Sequence, residues 1–398
     1  MSFRKRNVVL GSPSASSPAH PSKLSKTLAP GTRPSPLDGR ITTSTGSASL
    51  DQVLAGHAGF PLGSSLLVEE AGTTDFGGIL LRYYAAEGLV QGHHVHLLGH
   101  DESWRRELPG LSTEPKSKSA SKPDAADDKM KIAWRYEALG NRVAHTRGMA
   151  RYSLSSSSET YIALLEPPSS NTLDQGASPF CHSFDLAKRL EHSAIQGQLH
   201  CYSTGNSLSS MKGPSIFTKF IEEVTSKLAN SPPSTTHRIV IPGLLSPTLY
   251  ASFYCRPQEV LQFLHSLRGL LRRFSSRTSA IITMPISLFP RSSGMIRWAE
   301  LLSDGVIELV PLQHQNQVAR DLSSEDKTQG LLRIHSLPVF HEKGGGLEGG
   351  WMREDMSFKL SSSSGLVITP YSLPPIGDED DTAKKDETAD KKAKSLEF

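Results

Sequence analysis

At 398 residues the chain has room for one large α/β domain or two ordinary ones, but 37% apolar content leaves some segments outside any core. A net charge of +3 excludes a strong stand-alone nucleic-acid binder: six Lys or Arg in residues 1–37 and an excess of three acids in residues 378–398 leave the body between them neutral. Three scattered cysteines, Cys181, Cys201 and Cys255, speak against a disulfide framework, and no apolar run reaches the roughly 20 residues that span a bilayer. Arg4-Lys5-Arg6 is followed only by Val8, Val9 and Leu10, too short a stretch for a signal-peptide core. A soluble protein of the cytoplasm and nucleus, with no membrane partner, is expected.

In chain order, residues 1–37 are rich in Ser and Pro without a hydrophobic period and read as a disordered basic arm. Leu66-Leu67-Val68 suits a buried strand. Asp75 can cap a helix whose apolar positions include Ile79, Leu80, Tyr83 and Ala86. Val95 to Leu98 gives a second strand. Residues 111–129, made of Ser, Lys, Asp and Ala with two prolines, read as a solvated insertion, with further weak regions at 153–158 and 167–179. Ile216, Phe217, Phe220, Ile221 and Val224 recur at helical spacing. Ile239-Val240-Ile241 is a third strand, and Val260 to Phe274 forms an amphipathic helix. Ala280-Ile281-Ile282 and Val306 to Val310 follow as strands, and Leu331–Ile334 and Leu366–Ile368 are expected at an edge. Gly344 to Gly350 reads as a loop, and residues 377–398 as a disordered charged tail. Strands alternating with helices predict a mostly parallel sheet with helices on both faces.

After Leu66–Val68 and two glutamates comes Gly72-Thr73-Thr74-Asp75-Phe76-Gly77-Gly78-Ile79. Gly72 and Gly77 match the two glycines of a phosphate-binding loop, G-x-x-x-x-G-K-[ST], placed after a strand and before a helix. Glycines are needed there because the backbone must turn its N–H groups towards phosphate. Gly78 stands where the loop needs lysine, and Ile79 where it needs the hydroxyl that binds magnesium. Asp75 adds a repelling charge. The strand Ile239–Ile241 ends in Pro242-Gly243, without the acid that completes such a site. On the residues alone, a degenerate nucleotide loop and a pair of turn glycines both remain open. An active NTPase with a non-standard loop needs a replacement cation, for which Arg82 in the following helix is the nearest candidate.

Several blocks resemble the PAXNEB family, the fourth subunit of the Elongator complex. They are Thr43-Ser44-Thr45-Gly46 with Ser49-Leu50-Asp51, Pro61-Leu62-Gly63-Ser64, and Leu81-Arg82-Tyr83-Tyr84-Ala85-Ala86-Glu87-Gly88. Lys131 to Tyr136, Cys181 to Leu186, Arg238 to Pro242 and Leu373-Pro374-Pro375 continue them, in the family's order, over roughly residues 40–376. The resemblance implies an α/β, RecA-like domain over residues 38–376. It implies a hetero-hexameric ring with the fifth and sixth Elongator subunits that binds tRNA. The ring would support modification of the wobble uridine at C5, with the chemistry in the third, catalytic subunit. No catalytic residue and no cofactor is assigned to this chain, which leaves ATP to the ring interfaces. Gly72, Gly77 and Gly78 remain its cofactor-binding candidates.

Other clusters read more simply. His93, His94 and His96 border a buried strand and lack the further ligands of a metal site. His182-Ser183-Phe184-Asp185 reads as a structural element, with Ser183 or Asp185 capping a helix. Arg268 and Arg272 lie one turn apart on a helix flank, and Arg291 and Arg297 follow a later strand. For Arg268 and Arg272 a solvated face or a subunit contact stands beside tRNA phosphate contact, and by analogy with RecA-like rings Arg291 and Arg297 are candidates for lining the tRNA path.

Overall fold

The computed structural model describes residues 28–54, 56–72, 74–112, 179–204, 215–312, 328–338, 356–361 and 365–371. Most of the expected arm, the bulk of the insertion, the Lys131–Tyr136 block, the glycine-rich 344–350 and the charged tail lie outside them. Among the described residues, strands β1 (Thr32–Pro34), β2 (Ile41–Thr43) and β3 (Phe60–Pro61) form a small antiparallel sheet, with α1 (Ala48–Val53) inserted before β3. Within the stretch expected as a disordered arm to residue 37, residues 32–34 form a strand. Residues 32–34 are fixed by main-chain pairing with β2, which a low apolar content does not prevent.

The main sheet uses β4 (Ser65–Glu70), β5 (His94–Leu98), β8 (Gln198–Tyr202), β9 (His237–Ile241), β10 (Thr278–Pro285), β11 (Gly305–Pro311), β12 (Gly330–Ser336), β13 (Met356–Ser361) and β14 (Gly365–Pro370). Its order is β14-β13-β12-β11-β4-β10-β9-β5-β8. The strands from β11 to β8 are parallel, and β12, β13 and β14 join as an antiparallel meander. This is the mostly parallel α/β sheet, with helices on both faces, that the RecA-like reading expects. Leu331–Ile334 lies inside the sheet as part of β12, and only β14 ends it on that side. A second ribbon pairs β6 (Pro109–Leu111) with β7 (Phe184–Arg189). His182–Asp185 thus leads into a strand rather than a helix. The alternation Phe184, Leu186 has period two, and no helical repeat follows it.

Side-chain alternation divides the core. Leu66, Val68, Val240 and Ile281 face the helix α2 (Phe76–Val90), while Leu67, Ile239, Ile241 and Ile282 face α3 (Ile216–Asn230), α4 (Pro257–Arg273) and α5 (Gly294–Leu302). α2 is buried along most of its circumference, including Tyr84, Glu87 and Gly88. α3 and α4 each bury one stripe, Phe217, Phe220, Val224 and Leu228 on the first and Val260, Phe263, Leu267 and Leu271 on the second. At the sheet edge the hydroxyls of Ser47 and Ser49 donate to the Leu366 carbonyl, fastening the start of α1 to β14. No helix among the described residues is long and apolar enough to cross a membrane.

Candidate functional site

A cleft of about 360 Å³ opens over the carboxyl ends of β4, β9 and β10 and the first turn of α2. In open α/β sheets this is where ligands bind, because the strand ends and a helix N-terminus converge there. Gly72 adopts φ +92°, a conformation that favours glycine, and its N–H donates to Ser287 Oγ at 2.7 Å. Gly77 and Gly78 open α2, so all three loop glycines stand where the spacing places them.

Several donors of the loop are already occupied, the Phe76 and Gly77 N–H groups among them. Glu70 turns back from the end of β4, and its Oε1 accepts from the Phe76 N–H and the Thr74 hydroxyl, both at 2.8 Å. Its Oε2 accepts from the Gly77 N–H at 3.0 Å. An internal carboxylate therefore fills the position where this loop geometry would hold a phosphate. Burial pushes the Glu70 pKa up, and the hydrogen bonds from Thr74, Gly77 and Phe76 pull against that shift. Glu70 is 8% exposed.

A side chain at the missing lysine's position would have to displace the Asp75 carboxylate. A Cβ on Gly78 would lie 2.1 Å from Asp75 Oδ1. Asp75 makes no side-chain capping bond; it pairs with Arg82 at 2.7 Å, and Arg82 also reaches Glu107 at 3.0 Å. The cation nearest to a replacement lysine is thus held by two carboxylates beside the cleft. At the end of β9 the Gly243 N–H donates to Thr283 Oγ1 at 2.7 Å, and no acid takes that place.

The four arginines belong to α4, α5 and the loop between β10 and α5, on the sheet face opposite α2. Arg268 donates to the Leu301 carbonyl at 3.0 Å, and Arg272 pairs with Asp304 at 2.8 Å. Arg291 bridges Glu69 at 3.0 Å and Glu300 at 2.8 Å, and Arg297 takes the second oxygen of Glu300 at 3.1 Å. Turning Arg291 to a phosphate would strip the enclosed Glu69 of its counter-charge. Among the described residues no group of three or more His, Cys, Asp or Glu is placed to hold a metal ion. His96 stacks on His200 and His237, accepts or donates one bond to His237 at 2.9 Å, and is kept neutral by burial.

A second polar centre, not singled out by motif, lies towards the amino ends of β5 and β9 and the carboxyl half of α2. Arg238 is fully buried in β9. Its Nε donates to His93 Nδ1 at 3.0 Å, Nη1 to the carbonyls of Ser44 and Tyr84 at 2.8 and 2.9 Å, and Nη2 to Thr43 Oγ1 at 2.7 Å. Buried Glu87 accepts from the His182 N–H and imidazole and from Gln91. Asp51 accepts from Ser44 and from the Thr45 N–H and hydroxyl, and burial raises its pKa to about 6. The blocks Thr43–Gly46, Ser49–Asp51, Leu81–Gly88 and Cys181–Leu186 meet here with Arg238. The signal available in the sequence was the placement of charged residues inside apolar runs.

The arrangement keeps the cleft of a nucleotide-binding fold while its own side chain fills the cradle. Comparison with known proteins agrees with the blocks. A solved KaiC-like protein from Pyrococcus horikoshii aligns with 83% of this chain and 99% of its own, at 14% identity and a TM-score of 0.39. The chain is 32% identical over 390 residues to Elongator complex protein 4 of Schizosaccharomyces pombe, covering 93% of this chain and 96% of that protein. It is 29% identical over 364 residues to Elongator complex protein 4 of Saccharomyces cerevisiae, covering 79% and 70%. The model of the PAXNEB protein family matches residues 25–398, and the chain belongs to that family.

Proposed function

We propose that this chain is a non-catalytic subunit of an Elongator complex. In this reading it contributes one RecA-like domain to a hetero-hexameric ring with the fifth and sixth subunits. The ring binds tRNA and supports C5 modification of the wobble uridine by the catalytic third subunit, in the cytoplasm and nucleus. The observation that carries the non-catalytic part is the Glu70 carboxylate seated on the Phe76 and Gly77 N–H groups. A triphosphate would have to displace it, without a lysine to replace the lost contacts and against Asp75. ATP used by the ring is assigned to its subunit interfaces.

Among the tRNA candidates, Arg297 and Arg272 have the most exposed side chains, at 65% and 43%, while the side chains of their carboxylate partners, Glu300 and Asp304, are mostly buried beneath them. Such cations add salt-dependent affinity once neighbouring subunits extend the positive surface. Co-expression with candidate fifth and sixth subunits, mass measurement and a tRNA titration with and without ATP test this reading. The expected result is a six-membered assembly whose tRNA affinity falls when Arg297 and Arg272 are both changed to Ala. Micromolar ATP binding and turnover by the isolated chain, abolished by Gly77→Asp, would instead establish an active NTPase.

A further inference from the structure

Glu69 and Glu70 are consecutive in β4 and face opposite sides of the sheet. Glu70 serves the loop; Glu69 is fully enclosed beneath α5. Two more carboxyl groups stand beside it. Glu308 is its register partner on parallel strand β11, and Glu300 descends from α5. Across β4 the register partner is Met284, which offers no donor. The surrounding charges are few. Arg291 lies between Glu69 and Glu300, Arg297 reaches only Glu300, and Glu308 meets His335 at 2.9 Å and Arg333 at 4.0 Å. Although Arg291 Nε is 3.0 Å from Glu69 Oε2, its N–H is not aimed at that atom, and neither Glu69 oxygen has a hydrogen-bond partner.

An ionised carboxylate enclosed in this way, with both oxygens unbonded, is costly. A proton on Glu69 removes the charge and supplies an O–H donor, for which Glu300 is the adjacent acceptor. We propose that Glu69 and Glu300 form a carboxylic acid–carboxylate pair sharing one proton, and that this proton latches α5 onto the sheet. Two carboxylates that share Arg291 cannot both ionise without strong mutual repulsion, and Arg291 is itself divided between them. Loss of the proton therefore loosens α5 and the loop that precedes it. Burial first, then the charge of Glu300, raises the Glu69 pKa to about 7, which sets release near neutral pH.

Hydrogen exchange on the full chain between about pH 5.5 and 8.5 tests the latch. After correction for intrinsic rates, protection of the α5 amides should already be falling at the acid end, by up to about tenfold per pH unit, and should level off above about pH 7 as the proton is lost. Glu69→Gln, which keeps a donor and cannot ionise, should hold protection flat, and Glu300→Gln should do the same. His335→Asn should leave the wild-type transition in place. Flat protection in the wild type overturns the proposal, as does a transition that survives in both Gln variants. A transition abolished by His335→Asn would assign it to the imidazole. Restoration of wild-type protection at high pH by added Mg²⁺ or Ca²⁺ would assign the carboxylates to a cation instead.

Discussion

The Glu70 carboxylate carries three hydrogen bonds that an exposed glutamate would give to water, and they hold the first turn of α2 in place. Charge-assisted bonds of this kind are worth more than neutral ones, and burial offsets part of the gain. Glu70→Ala should lower stability by about 1–2 kcal/mol and leave the Phe76 and Gly77 N–H groups unfilled. Inorganic phosphate should then raise the melting temperature of the variant and leave that of the wild type unchanged; equal shifts in both would refute the cradle reading. Arg238 poses the opposite case, a buried cation with its partners also buried. Arg238→Met would remove four hydrogen bonds and the positive charge that faces Glu87 and Asp51. A loss of about 3–5 kcal/mol in denaturant unfolding is expected, because the carboxylates would be left uncompensated.

Among the elements, α2 is the one whose fit depends most on missing side chains. A Cβ at Gly88 would lie 2.5 Å from Arg238 Cδ, and Gly46, at φ +83°, brings its α-carbon against the Tyr83 carbonyl, where a Cβ would be 2.4 Å away. Gly46→Ala should cost at least about 2 kcal/mol, combining backbone strain with overlap against main chain that cannot move aside. Gly78→Lys should supply the missing lysine and still give no ATP binding in calorimetry, because Glu70 keeps the Phe76 and Gly77 N–H groups and Ile79 still lacks the hydroxyl. The same element shows what sequence can and cannot reveal. The start of α2, the buried run before it and the glycine spacing were all readable, because they rest on local pattern. The direction of Glu70 was not, since a side chain that turns back onto its own loop leaves no period. Likewise Asp75 looked like a cap, but the Arg82 guanidinium competes for it. β13 was missed because Met356-Ser357-Phe358-Lys359 carries few apolar residues, and its strand character comes from pairing with β12 and β14. His182 was legible as structural, but its partner Glu87 is 95 residues away.

Across the whole molecule, the Glu69 proton makes global stability depend on pH. Its folded pKa is raised, so the protonated form favours the folded state. That contribution is complete below the ordinary glutamate range and is lost as pH rises through about 7. Glu69→Gln should therefore match the wild type near about pH 4 and exceed it by on the order of 2–3 kcal/mol above neutrality, read from urea unfolding at both ends. A variant that gains nothing at high pH would show that Arg291 already compensates the charge. The largest scale also bears on how the chain is made. The bond from Ser47 to Leu366 joins residues 319 apart. At ordinary translation rates the ribosome needs roughly 15–60 seconds to travel that distance. The amino-terminal staple is thus cut long before its eyelet exists, and the nascent chain must carry α1 without this fastening until β14 emerges. A messenger truncated just before residue 365 would yield a protein whose α1 keeps the Asp51 bonds to Ser44 and Thr45 but has nothing to clip onto.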